Sequence, residues 1–112
     1  MTTPDVVTQL SAFRQSIDNF DSAIIHTLAE RFRCTDQVGL LKAKYSLPPV
    51  DKDREQRQYH RLTTLAKEAN LDPAFVEKLM ELVISEVVQR HRQTATAHIV
   101  AGMQQVASSD DV

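Results

Sequence analysis

Arg14, Arg31 and Lys42 are cations set along a stretch whose other recurring positions are apolar. Charge held on such a face suits an anionic small molecule, and positioned donors do chemistry without a nucleophile or a metal. Arg31 and Lys42 stand eleven residues apart, about three helical turns, so at roughly 100° per residue they point to nearly the same side. Arg14 precedes Arg31 by seventeen residues, which places it about 25 Å away along a helix and on a different face. Arg14 and Arg31 of one helix therefore cannot grip one small molecule. In an antiparallel pair of long helices, Arg14 of one chain arrives beside Arg31 and Lys42 of the other. Taken singly, the plainer reading of each of these cations is a solvated surface charge.

A second cluster is Asp51-Lys52-Asp53-Arg54-Glu55. At a helix start the free N–H groups and the positive dipole end favour an anionic partner. Arg54 adds a planar, two-pronged donor for a carboxylate, and Asp51 and Glu55 are acceptors one turn apart. The plainer reading is a capped helix start with a solvated charge run. His91 is the third candidate, because the stripe Met80, Ile84, Val87 lands on it at the next step. A histidine at the rim of the core accounts for the same spacing.

Other machinery is missing from the sequence. It has no glycine-rich phosphate loop, no Cys-Cys or His-Cys metal spacing and no Gly-x-Ser-x-Gly elbow. His26, His60 and His98 read as surface residues, and Cys34 as a small apolar helix residue with no feature to activate its thiol.

The elements that must position these residues are helices. Val7, Leu10, Phe13, Ile17, Phe20, Ile24, Leu28, Phe32, Val38 and Leu41 recur in helical steps. They predict one helix from Thr3 to about Ser46, opened by a Thr3 cap and Pro4 and stopped by Pro48-Pro49. Such a helix is roughly 60 Å long, against a radius near 13 Å for a compact monomer of this size. Half of it must lie bare or find another chain. A second helix is expected from Asp51, its N-cap, to Ala69. A third starts at Asp72-Pro73 and runs to about Arg92 or Thr96. Residues 1–96 form one domain, and 97–112 either continue the helix or fray, with Ser108-Ser109-Asp110-Asp111 as a solvated tail.

Composition sets the class. The chain has 112 residues, 42% hydrophobic and 25% charged, with two glycines and two tyrosines, which favours an all-α single domain. A net charge of −2 is the wrong sign for releasing counterions from a nucleic acid. The lone cysteine points to a reducing compartment. No secretory signal and no membrane-spanning run is legible, so a cytoplasmic protein is expected.

The ordered set Arg14-x-x-Ile17-Asp18-x-x-Asp21-x-x-Ile24, Ala29-Glu30-Arg31, Gly39-x-x-Lys42 and Asp51-x-x-Arg54-Glu55 resembles the all-helical (AroQ-type) chorismate mutases. Leu71-Asp72 ahead of an apolar third helix is similar to that family too, and the resemblance covers residues 10 to about 93. It implies an intertwined homodimer of the chorismate mutase II type, with each of two sites completed by an arginine from the partner. It also implies conversion of chorismate to prephenate without cofactor or covalent intermediate. Arg31 and the partner's Arg14 would bind the two carboxylates, Lys42 the ether oxygen, and Asp51 and Glu55 the hydroxyl, with Arg54 supporting the cluster.

The third helix departs from the family pattern. His91 falls where Gln or Glu is common as second donor to the ether oxygen, and Val87 where some members carry a small hydroxyl residue. Either His91 donates, or the register slips and Gln89 or Gln93 does. Gln89 points to a nearly opposite face, so His91 is expected. If it must be protonated to donate, activity falls as pH rises through the imidazole titration.

Two other functions fit less of the sequence. Isochorismate pyruvate lyases share this fold and the Arg31 and Lys42 positions but tend not to keep the acid at Glu55. A non-catalytic helical dimerisation module would leave the cations solvated and far apart. The length leaves no room for a fused dehydratase or dehydrogenase, so a stand-alone mutase, or one that docks elsewhere, is expected.

Overall fold

The computed structural model describes residues 5–110. They form three helices, α1 (Val6–Lys44), α2 (Lys52–Glu68) and α3 (Pro73–Asp110), with no strand among the described residues. The all-α expectation holds. The expected Thr3 cap and Pro4 lie outside the described residues, as do Asp111 and the side chains of Ser108, Ser109 and Asp110, on which the expected solvated tail falls. Asp5 opens α1 instead: its carboxylate accepts from the Val7 N–H at 3.0 Å and from the Thr8 hydroxyl at 3.0 Å.

α1 and α2 close with the same device. The Leu47 N–H donates to the Lys42 carbonyl and the Ser46 N–H to the Ala43 carbonyl; Leu71 and Asn70 do the same with Ala66 and Lys67. In this motif the residue after the last turn takes a left-handed conformation, and Ser46 (φ 54°) and Asn70 (φ 55°) both adopt it. Asn tolerates that region better than Ser. The prolines at 48 and 49 then keep α1 from restarting.

α2 and α3 begin at the expected caps. Asp51 Oδ1 accepts from the Arg54 N–H at 3.1 Å and Asp72 Oδ1 from the Ala74 N–H at 3.0 Å. α3 does not stop at Arg92 or Thr96. It continues to Asp110, because the alanine-rich stretch after Arg92 offers no proline, and Gly102 alone does not end it. The Asp51 cap gives a direct stability prediction. Asp51→Ala should cost about 1 kcal/mol, seen as a lower midpoint in denaturant, whereas Asp51→Asn, which keeps the acceptor, should cost little.

The chain divides into two units, the first ending at Cys34 and the second beginning at Thr35, inside α1. In the first, Leu10, Phe13, Ile17, Phe20 and Ile24 stand exposed, Phe13 at 68%. In the second, α2 packs on α3, and Ala43, Ala66, Val83 and His91 are buried. No large side chain among the described residues is fully buried. No helix of the described residues is long and apolar enough to cross a membrane.

Candidate active site

The second unit carries two neighbouring clefts. One, of about 340 Å3, is lined by Lys42, Leu47, Pro48, Val50, Asp51, Lys52 and Asp53. It exists because α1 ends two residues after Lys42 and the chain must turn before Asp51 caps α2. Lys42 is half-buried, and its Nζ donates to the Pro49 carbonyl at 3.2 Å. That bond uses one of the three ammonium N–H groups and leaves the others for a ligand acceptor.

The second cleft, of about 500 Å3, lies between α2 and α3. Glu55 and Tyr59 supply one wall, and Ile84, Ser85, Val88 and Gln89 are among the residues of the other. Val50 borders both clefts, so Lys42 and Asp51 on one side and Glu55 on the other surround neighbouring spaces. Glu81 and Arg92 also reach the larger cleft. Tyr59, Ser85, Glu81 and Arg92 were not singled out from sequence, although the α3 members repeat in steps of three and four from Glu81.

Charge in the larger cleft is mainly acidic. Partial burial first, then the carboxylates of Glu81, Glu77 and Glu55, push the Tyr59 phenol above its ordinary range. A raised folded-state pKa means that the unfolded chain ionises first. The stability Tyr59 contributes is thus intact below the ordinary phenol pKa, near 10, and is lost as pH rises through the folded value. Melting temperatures measured above about pH 10 should fall less steeply in Tyr59→Phe than in the parent.

Arg54 and Asp51 are exposed at the start of α2, and Glu55 is half-buried. Arg14 and Arg31 belong to the first unit. Arg14 is exposed. Arg31 is half-buried, and its Nη1 is shut off from solvent with no hydrogen-bond partner among the described residues.

His91 does point inward, with 5% of its surface exposed. What it meets there is backbone. Its Nε2 lies 2.7 Å from the Thr35 carbonyl oxygen, and since a carbonyl only accepts, Nε2 carries the hydrogen. Nδ1 is buried with no partner among the described residues. In the neutral ring that nitrogen is an acceptor, so the ring offers a second donor only when doubly protonated. Gln89, on the other face of α3, borders the cleft shared with Glu55.

The chain belongs to the chorismate mutase type II family, whose model matches residues 13–92. It is 34% identical over 79 residues to a bifunctional chorismate mutase/prephenate dehydratase of Buchnera aphidicola subsp. Schizaphis graminum, covering 70% of this chain and 20% of the relative. The corresponding Escherichia coli K12 protein is 32% identical over 90 residues, covering 80% and 23%. The chain thus spans about a fifth of the length of these bifunctional relatives. A chorismate mutase of Methanocaldococcus jannaschii is 30% identical over 79 residues, covering 70% of this chain and 80% of that protein.

Proposed function

We propose that this chain is a chorismate mutase, an isomerase that rearranges chorismate to prephenate, and that it acts as an intertwined cytoplasmic homodimer. The observation that carries the reading is the Arg31 guanidinium. Its Nη1 is a charged donor closed off from solvent with no partner among the described residues, which costs free energy, and a substrate carboxylate is the group that would pair it. Family membership supplies a substrate with two carboxylates, and the partner's Arg14 takes the second. The exposed α1 stripe, Phe13 to Ile24, supports a second copy as its cover.

The rearrangement moves electrons only within the substrate. The ether C–O bond breaks as a C–C bond forms, and negative charge builds on the ether oxygen. Lys42 donates to that oxygen. Asp51 and Glu55 hold the hydroxyl, and Arg54 supports the cluster. Fixing both carboxylates folds the enolpyruvyl arm over the ring, which removes much of the orientational cost.

Loss of chorismate absorbance, with prephenate identified as product, tests the reading, and isochorismate is run in parallel. Prephenate from chorismate supports it. Inert chorismate, or salicylate and pyruvate from isochorismate alone, sinks it.

A further inference from the structure

The buried histidine has a use that the family pattern does not assign. Resting on the mutase reading above, we propose that His91 is a positioning residue: it pins α3 to α1 at Thr35–Gly39 and so fixes where Lys42 stands. It does not itself donate to the substrate.

Two observations converge on one patch of α1. Nε2 donates to the Thr35 carbonyl at 2.7 Å. Inside a helix that oxygen already accepts from the N–H four residues on, which is Gly39, and His91 takes its second lone pair. The ring then sits close against Gly39. A Cβ built there would stand 2.7 Å from His91 Cδ2 and 3.3 Å from Nε2, so glycine is required for the approach. Glycine inside a helix costs about 1 kcal/mol relative to alanine, and this contact is its physical reason.

Lys42 follows Thr35 by seven residues and Gly39 by three. Seven residues are about two turns, so Lys42 leaves α1 on nearly the same side as the pinned carbonyl. Whatever sets the α1–α3 gap at Thr35 sets the height of the ammonium beyond it. Arg90 adds a tie to Asp36 at 3.3 Å, but both side chains are more than a third exposed, and such a pair contributes little. The specific fastening is His91.

The test is a double-mutant cycle with Lys42, read as kcat/KM on chorismate, with melting temperature beside it. A misplacement of about 1 Å can cost on the order of 100-fold, so His91→Ala should lower kcat/KM by roughly 10- to 100-fold. Because His91 acts through Lys42, the same change made in Lys42→Ala should cost no more than about twofold. Two losses that multiply would overturn the proposal.

Isosteric variants give a second arm, independent of whether His91→Ala folds. Gln carries its amide nitrogen at the distance of Nε2, and Asn carries it at the distance of Nδ1. His91→Gln should restore melting temperature and most activity, while His91→Asn should not; the reverse order refutes the clasp. Gly39→Ala should lower the melting temperature in the parent but not further in His91→Ala. If the parent leaves chorismate untouched, the mutase reading fails by itself. The order of melting temperatures then still decides whether the clasp exists.

Discussion

Lys42→Ala should lower kcat on chorismate by about 100- to 1000-fold with little change in melting temperature. On the proposed reading the ammonium donates where charge develops, and a preorganised donor of that kind is worth about 3–4 kcal/mol when removed. The fold has little to lose. Lys42 is half-buried near the end of α1, and its ammonium donates to the Pro49 carbonyl. KM should move less than kcat, because the carboxylates are held elsewhere. Single-turnover rates of the variant and of Lys42→Arg would check this. A variant that keeps the parent's kcat removes Lys42 from the chemistry and leaves it a loop tether.

Mixing two inactive variants should restore activity. Arg14→Ala alone, and Lys42→Ala alone, leave every site of a homodimer defective. In a mixed dimer, one site takes Lys42 from the first chain and Arg14 from the second, and is intact; the other has lost both. Random exchange makes about half the dimers mixed, so the pool should reach about a quarter of the parent's activity. Subunit exchange is started by dilution or mild denaturant, and turnover is followed with time. If no activity returns although mass spectrometry finds mixed dimers, Arg14 serves its own chain or none. A charge placed on the α1 stripe, Phe20→Glu for example, should give an inactive monomer.

Much of the fold was legible because helix ends are local events. Asp51 and Asp72-Pro73 start α2 and α3 where their side chains say, since a cap needs only the next two or three N–H groups. The far end of α3 was not legible: no residue between Arg92 and Asp110 compels a stop, so a neutral sequence simply continued. The direction of His91 could be read from the stripe at 80, 84 and 87, but its partner could not. That partner is a main-chain oxygen fifty-six residues away, and carbonyls carry no sequence signature. Gln89 shows the complementary limit. It was set aside as facing away from the inward stripe, and it does, yet α3 has neighbours on two sides and that face borders the cleft of Glu55.

Among the described residues of the second unit only Gly39, Ala43, Ala66, Val83 and His91 are buried, and this bears on how the protein melts. The heat-capacity increment and the denaturant slope of unfolding both scale with surface newly exposed. A dilute chain has little surface still to expose, so its transition should be broad and shallow. If a second copy covers α1 as proposed, the curve should steepen as well as shift as concentration rises. Calorimetry across a concentration series would thus weigh how much of the folded state belongs to one chain and how much to two.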